Sequence, residues 1–130
     1  MVLCSGVFDG LHAGHVHYLL AACEAGAPGE PLIVAVASDA YVDTVKGHRS
    51  RWTLADRQTV LQELVMVDAV VAHGVEGAAS AIRLHRPRLF VKGREWDGHL
   101  PPDDLTACLA VGAQIVFVDE YRCAHTSDPL

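Results

Sequence analysis

Two histidines flank a glycine near the amino terminus, and their types and spacing suit the binding of an anion. The segment Gly6–His15 reads Gly-Val-Phe-Asp-Gly-Leu-His-Ala-Gly-His. An imidazole N–H donates a hydrogen bond to a phosphate oxygen, and His12 and His15 are close enough in sequence to address one phosphate group. Donors placed in this way stabilise the charge that builds up during substitution at phosphorus.

An apolar strand and an amphipathic helix are expected on either side of this turn. Val2-Leu3-Cys4 predicts a buried strand. One face of a helix is predicted from four apolar residues at helical spacing: Val16, Leu19, Leu20 and Cys23. Gly14 lets the backbone approach a ligand closely, and the start of the helix presents unpaired N–H groups and the positive end of its dipole. The turn is therefore expected to bind an anion at the carboxyl end of a strand.

Further along the chain, apolar segments alternate with segments of helical periodicity. Strands are predicted at Leu32–Ala37, Ala69–Ala72, Leu89–Val91 and Ile115–Val118, and helices at Ala78–Leu84 and Asp103–Val111. Another helix is predicted to begin at the capping pair Thr53 and Asp56 and to bury Val60, Leu61, Leu64 and Val65. This alternation predicts an α/β fold of the Rossmann-like, doubly wound type, with a five-stranded parallel sheet and helices on both faces. Ligands of such sheets bind at the carboxyl ends of the strands, where the strand order reverses.

Length and composition agree with one catalytic domain spanning residues 1–130. The chain is 51% hydrophobic and 20% charged, with a formal net charge of −6. That charge argues against general nucleic-acid binding. Its apolar segments are too short to cross a bilayer and no signal peptide is recognised, so a cytoplasmic protein is expected. The four scattered cysteines, Cys4, Cys23, Cys108 and Cys123, are expected to be reduced thiols.

A zinc site is the alternative interpretation of the histidine-rich turn. His12, His15 and His17 could each ligate a metal. The sequence has no cysteine or carboxylate cluster close by to complete a closed zinc shell, so no metal ligands are predicted among these residues.

The histidine turn resembles the His-x-Gly-His signature of the cytidylyltransferase-like nucleotidyltransferases. The likeness continues over nearly the whole chain, through four further segments: Leu32–Ser38 with Asp39 and Lys46-Gly47, Thr53–Arg57, Val67–Val71, and Val91–Trp96. The resemblance implies transfer of a nucleoside monophosphate to a phosphorylated small molecule, with release of pyrophosphate. It also implies a homodimer and a Mg²⁺ ion that accompanies ATP or CTP.

The resemblance also implies a role for each matching residue. Catalysis is assigned to His12, His15 and Lys46. Nucleotide binding is assigned to Gly6, Val7, Phe8, Gly14, His15, Arg57, Lys92, Gly93, Thr126 and Ser127. Substrate binding is assigned to Asp9, Asp39, Lys46 and Trp96. Thr126 and Ser127 replace a serine- and threonine-rich turn of the family, and His125 stands where a serine is expected.

Two branches of the family compete for the substrate. The spacing of Asp39 and Lys46-Gly47 looks most like the adenylyltransferases of ADP-heptose synthesis, which favours AMP transfer to a sugar phosphate such as heptose 1-phosphate. The segment Glu95–Gly98 instead resembles glycerol-3-phosphate cytidylyltransferase, but Val65 replaces the basic residue usual in that branch. Flavin and phosphopantetheine adenylyltransferases share the first motif.

Two other kinds of protein share parts of this pattern. A non-catalytic nucleotide-binding protein could keep the fold, although it has no need of both histidines and the lysine loop. Class I aminoacyl-tRNA synthetases carry a similar histidine turn, but they also need a second lysine-bearing signature and a tRNA-binding domain, which the sequence does not show.

Overall fold

Five parallel strands form one sheet in the computed structural model, which describes residues 1–119. The strands are β1 (Val2–Gly6), β2 (Leu32–Ala37), β3 (Ala69–His73), β4 (Leu89–Gly93) and β5 (Gln114–Val118). Their order across the sheet is β3-β2-β1-β4-β5, and every neighbouring pair is parallel. Val2 of the central strand lies opposite both Leu32 and Leu89. The order reverses between β1 and β4, so the predicted doubly wound α/β fold is confirmed.

Helices cover both faces of the sheet. They are α1 (Ala13–Ala25), α2 (Asp39–Tyr41), α3 (Leu54–Gln62), α4 (Ala78–His85) and α5 (Pro102–Val111), with a π-helical turn at Val42–Lys46 and a 3₁₀ turn at Arg94–Trp96. On one face, α1 and α3 pack against Cys4, Val34, Val36 and Val91. On the other face, α4 and α5 pack against Leu3, Ala35 and Phe90. Because both faces are buried, the central strands have the nearly continuous apolar sequences that predicted them.

The buried face of α1 differs from the predicted one. Its fully buried side chains are Tyr18, Leu19 and Ala22, whereas Leu20 is 36% exposed. The Tyr18 hydroxyl donates a 2.7 Å hydrogen bond to the carbonyl of Val91, which draws the ring into the core. A tyrosine with a buried partner for its hydroxyl therefore takes the place that the sequence assigned to Leu20.

The end of α3 was also predicted incorrectly. Leu61 is buried as expected, but Val65 is 96% exposed and belongs to a turn that follows the helix. The N–H groups of Glu63 and Leu64 bond to carbonyls three residues back, which tightens the chain and ends the helix before Val65. The predicted cap at the other end is present, since the Thr53 hydroxyl accepts a hydrogen bond from the N–H of Asp56.

Candidate active site

A cavity of about 510 Å³ opens over the carboxyl ends of β1, β2, β3 and β4. Ten of the residues that the sequence assigned to the site line it: Gly6, Val7, Phe8, His12, Gly14, His15, Lys46, Lys92, Gly93 and Trp96. They come from segments up to 90 residues apart and meet where the order of the strands reverses. This is the position at which doubly wound sheets bind their ligands.

His12 and His15 both use Nδ1 to cap helix α1. Nδ1 of His12 accepts a 3.0 Å hydrogen bond from the N–H of Gly14, and Nδ1 of His15 accepts a 3.1 Å hydrogen bond from the N–H of His12. A ring nitrogen that accepts a hydrogen bond carries no proton, so the proton of each neutral imidazole is assigned to Nε2. Each ring that lines the cavity therefore has an Nε2–H donor.

Burial keeps His15 neutral. It lowers the pKa of His15 to about 4, with a further contribution from the neighbouring His12, whose ring centroid lies 4.0 Å away. At neutral pH the His15 ring is therefore uncharged and acts as a dipolar hydrogen-bond donor. Together with the unpaired N–H groups and the dipole of α1, it forms an anion-binding turn.

The buried ring of Phe8 packs against the histidine turn. It is 4% exposed, and its ring centroid lies 5.4 Å from that of His15. Its φ angle of 54° is unusual for a residue with a side chain. The ring lies so close to Gly6 that a Cβ at this position would stand 2.9 Å from it. Gly6 is therefore required for the turn to close over Phe8.

Two lysines bring positive charge to the opposite wall of the cavity. Nζ of Lys92 lies 4.6 Å and Nζ of Lys46 5.7 Å from the centroid of the Trp96 ring. Lys92 also donates a 3.2 Å hydrogen bond to the carbonyl of Ser5. Lys46 ends the π-helical turn, and Gly47 turns the chain away with a φ of 77°. The ring thus holds both ammonium groups near the place where a phosphate would bind.

Arg57 occupies a different place from the predicted one. Its side chain is fully buried and does not line the cavity. The guanidinium donates to the carbonyls of Val7, Ala37 and Trp52 and to the carboxylate of Asp39. The family resemblance implied that Arg57 contacts the nucleotide. In the structure its donors instead join the histidine turn to the end of β2.

Asp9 and Asp39, predicted to bind substrate, likewise hold the backbone beside the cavity. Asp9 accepts hydrogen bonds from the N–H groups of Arg51 and Trp52, at 2.7 and 2.8 Å. Asp39 accepts from the Leu54 N–H in addition to Arg57. These carboxylates fix the segment between Lys46 and α3 against the histidine turn. Neither of them lines the cavity.

The sequence interpretation missed several polar residues of the cavity, among them Tyr41, His73, Glu76 and Asp104. His73 is the last residue of β3, and Asp104 lies in the first turn of α5. Each is a single polar residue without a recognisable motif around it. The available signal was position alone, since His73 directly follows a predicted strand and so comes at the carboxyl edge of the sheet, where the site was expected.

Some predictions concern residues outside the described part of the chain. Thr126 and Ser127, assigned to nucleotide binding, lie beyond residue 119, as does Cys123. Cys4, Cys23 and Cys108 are free thiols. Within residues 1–119, no group of three or more His, Cys, Asp and Glu side chains is placed to hold a metal ion. Over the same residues, none of the helices has the length and apolar character needed to span a bilayer.

Comparison with known proteins relates the chain to bacterial relatives. It is 38% identical over 131 residues to the bifunctional protein HldE of Nitrosococcus oceani, covering 98% of this chain and 26% of that protein. It is 42% identical over 132 residues to the bifunctional protein HldE of Halorhodospira halophila, with the same coverage of 98% and 26%. The chain thus spans about a quarter of the length of these relatives.

A solved structure and a family profile agree with this relationship. The lipopolysaccharide core biosynthesis protein of Thermoplasma volcanium superposes with a TM-score of 0.77 at 26% identity, over 93% of this chain and 97% of that one. The profile described as Cytidylyltransferase-like matches residues 3–122. Since this match includes the histidine turn and almost the entire sheet, the chain belongs to the cytidylyltransferase-like family.

Proposed function

We propose that the protein transfers AMP from ATP to a phosphorylated sugar such as heptose 1-phosphate and releases pyrophosphate. The observation that carries the proposal is the reciprocal capping of α1 by His12 and His15. It fixes two imidazoles at the positive end of a helix, and both line a cavity bordered by two lysines. This arrangement suits the stabilisation of a phosphate group on which charge accumulates.

The reaction needs positioning and neutralisation of charge. An oxygen of the acceptor phosphate attacks the α-phosphorus of the triphosphate and forms a new P–O bond. The bond from the α-phosphorus to the oxygen bridging to the β-phosphate breaks, and pyrophosphate leaves with that electron pair. Because the attacking phosphate oxygen is already anionic, no residue has to remove a proton, and geometry and electrostatics account for catalysis.

The residues of the cavity divide these roles between them. His12 and His15 donate from Nε2 to the α-phosphate, together with the first N–H groups of α1. Lys46 and Lys92 neutralise the remaining phosphate charge from the side of Trp96, at 5.7 and 4.6 Å from its ring. Arg57 and Asp39 hold the two loops in register without contacting the nucleotide.

Magnesium fits this donor set. Mg²⁺ prefers oxygen ligands, and in nucleotide enzymes it takes only one or two of them from the protein and the others from phosphates and water. Glu95 lines the cavity beside Trp96 and offers an exposed carboxylate for this purpose. When bound, the ion supplies positive charge to the leaving pyrophosphate. A homodimer in the cytoplasm remains a prediction.

The choice of ATP and a sugar phosphate rests on the sequence resemblance and the relatives. The chain resembles the adenylyltransferases of ADP-heptose synthesis, and two bifunctional HldE proteins are 38% and 42% identical to it. A structural relative at 26% identity is a lipopolysaccharide core biosynthesis protein.

One experiment tests nucleotide and acceptor together. The protein is incubated with Mg²⁺ and either ATP or CTP against heptose 1-phosphate, glycerol 3-phosphate and phosphoethanolamine, and pyrophosphate is followed. The proposal expects release with ATP and heptose 1-phosphate at the highest kcat/KM. Release with CTP and glycerol 3-phosphate instead would assign the cytidylyltransferase branch. The absence of pyrophosphate with every pair, while nucleotide still raises the melting temperature, would identify a nucleotide-binding protein without this activity.

A further inference from the structure

Two apolar side chains at the cavity remain exposed to solvent. Val45 and Val75 both line the cavity, and each is 53% exposed. Val45 belongs to the π-helical turn after β2, and Val75 to the loop after β3. Exposure of an apolar side chain to water is unfavourable, so a partner is expected for both in the working state of the site. Neither valine has a role in the transfer reaction described above.

The two segments that carry these valines already contact each other through Tyr41. Tyr41 precedes Val45 by four residues, a spacing that places both on one face of a helix. The Tyr41 ring meets the His73 ring edge to face, with centroids 4.8 Å apart, and a Cβ at Gly77 would lie 3.6 Å from it. Val75 lies between His73 and Gly77 in the chain. A small movement of the turn would therefore bring Val45 and Val75 together.

The segment that carries Val45 has an unusual helical geometry. Asp39–Tyr41 is α-helical, and the chain continues directly into the π-helical turn Val42–Lys46. Such turns are rare and occur mainly at functional sites. Because an α-helix has 3.6 residues per turn, a change to α-helical hydrogen bonds would rotate the residues that follow by about 100° around the helix axis. The same five residues thus have two helical arrangements, which point Val45 and Lys46 in different directions.

Both ends of the π-helical turn are anchored to the fold. Its first residue, Val42, is fully buried, and Ser38 caps the short helix before it. Beyond its last residue, the Ser50 hydroxyl donates a 3.0 Å hydrogen bond to the carboxylate of Asp39. Gly47 lies between these anchors with a φ of 77°, which glycine adopts without strain. Fixed ends with a glycine between them allow the turn to move about a hinge.

The exposed part of the turn, residues 43–46, is weakly held. Within residues 1–119, no hydrogen bond or ion pair joins a side chain of these four residues to another residue. Lys46 meets the Trp96 ring at 5.7 Å from its centroid. A segment with so few contacts can rearrange at a low cost in free energy. The turn is therefore a wall of the cavity that a bound ligand can move.

We propose that the turn Val42–Lys46 is a lid, which closes when a triphosphate binds, brings Val45 against Val75 and keeps water from the α-phosphorus. Closure is driven by the attraction of Lys46 to the phosphates, which distinguishes the closed state from the open one. It also buries two exposed apolar side chains and removes water from the site. This inference rests on the proposed function, because it concerns the fate of the nucleotidyl group in that same reaction.

The lid selects transfer over hydrolysis. A water molecule that attacks the α-phosphorus forms a new P–O bond, gives a proton to the solvent and releases pyrophosphate, so that AMP is formed in place of the transfer product. An open mouth would waste triphosphate in this way. The acceptor enters while the lid is open, and closure leaves its phosphate as the nucleophile beside the α-phosphorus.

Hydrogen exchange tests whether the turn closes. The wild-type protein with Mg²⁺ is measured alone, with pyrophosphate, and with an ATP analogue that carries a methylene group between the α- and β-phosphates. Exchange of the Val42–Gly47 amides is expected to slow by about tenfold or more with either ligand. The amides of β5, which does not line the cavity, are the internal control. Unchanged exchange of Val42–Gly47 with both ligands would overturn the lid.

Matched valine-to-threonine substitutions test the contact across the mouth. Threonine keeps the size of valine but replaces a methyl group by a hydroxyl group. Val45→Thr and Val75→Thr are each expected to raise the ratio of AMP to transfer product by about threefold or more, since one buried methyl group is lost on closure. Val65→Thr, at a position 96% exposed and outside the cavity, is the control. Equal ratios in the three variants and the wild-type protein would contradict the inference.

The two measurements separate the lid from the proposed function. Slowed exchange in the turn without transfer to any acceptor would overturn the proposed function and retain the lid. Transfer of AMP to heptose 1-phosphate with unchanged exchange in the turn would retain the proposed function and overturn the lid.

Discussion

Nδ1 of His15 accepts a hydrogen bond from the backbone N–H of His12, and the two imidazole centroids lie 4.0 Å apart. The pair therefore starts helix α1 and lines the active site with the same two rings. Structural capping and phosphate binding are not alternative roles here, because Nδ1 serves the backbone and Nε2 carries the proton.

Asparagine substitutions are expected to separate these two roles. An asparagine oxygen can replace Nδ1 as an acceptor but provides no donor at Nε2, and asparagine is a favourable N-cap residue. We expect His12→Asn and His15→Asn to unfold near the wild-type temperature while kcat falls by about 10²-fold or more. His12→Ala is expected to lose the cap as well, at about 1 kcal/mol of stability.

Turnover and thermal unfolding measured on the same preparations check this prediction. His17→Asn, on the exposed side of α1, is the control and is expected to leave both quantities unchanged. If the kcat of His15→Asn equals that of the wild-type protein, the assignment of His15 to catalysis is contradicted.

The low pKa of His15 gives a distinct dependence on pH. Burial, with the aid of His12, lowers this pKa from 6.5 to about 4, so between these values the unfolded chain binds a proton that the native protein does not. Stability then rises with pH in this interval, and it is lost progressively as the pH falls from 6.5 towards 4. His73, whose pKa is also lowered, contributes in the same direction.

Chemical denaturation at several pH values and NMR titration of the imidazole protons measure this effect. In His15→Asn the slope of stability against pH is expected to become smaller. An NMR pKa for His15 near 6.5 in the native protein would show that the ring is not shielded as the structure indicates.

The ion pair of Arg57 with Asp39, at 2.7 Å, is expected to support the geometry of the site. Arg57→Ala would leave three carbonyls, one buried and two partly buried, without their donor, and would leave Asp39 unpaired. We expect it to destabilise the fold by about 3 kcal/mol or more. Asp39→Asn removes the charge of a half-exposed partner and leaves the other bonds of Arg57 in place. We expect it to retain the fold and to lower kcat, because the loop that ends at Lys46 is less firmly held.

The distant ion pair of Arg88 and Glu30 provides the control, since it also joins an arginine to a carboxylate but lies outside the cavity. Glu30→Gln is expected to keep the wild-type kcat. Unchanged turnover in Asp39→Asn would show that the pair serves the fold alone.

Trp96 is expected to hold the lysines and to report on nucleotide binding. Trp96→Leu removes a cation–π partner of both lysines, worth about 0.5–2 kcal/mol, and is expected to lower kcat/KM by roughly three- to thirtyfold. The chain has two tryptophans, so a Trp52→Phe background isolates the fluorescence of Trp96. A triphosphate that draws Lys46 from the ring would change this emission. No change at saturating ATP would argue against contact of Lys46 with the nucleotide.

The sequence predicted the elements that depend on local pattern. The five strands are nearly continuous apolar segments, and they lie within one or two residues of their expected positions. The short helix Asp39–Tyr41 was not predicted, although Ser38 caps it by accepting from the N–H of Tyr41. Three residues are too few to produce a periodic signal.

The sequence could not show which polar groups face the cavity. Arg57 and Lys92 look alike as isolated cations, yet one is enclosed by carbonyls of three segments and the other lines the site. His73 carries no motif, and Tyr41, whose ring meets the His73 ring edge to face, precedes it by 32 residues and contacts it only in the folded chain. Such distinctions arise from tertiary packing and are absent from any local window of sequence.

The central position of β1 has a consequence for how activity appears during refolding. Val2 must pair with Leu32, 30 residues away, and with Leu89, 87 residues away, before the central part of the sheet that carries the histidine turn is formed. Contacts so distant along the chain have a high loop-closure entropy and form slowly, whereas helices form from local contacts. The helical circular dichroism signal should therefore recover before nucleotide binding does. Nucleotide binding needs the histidines and Lys92 together, and Lys92 lies on β4.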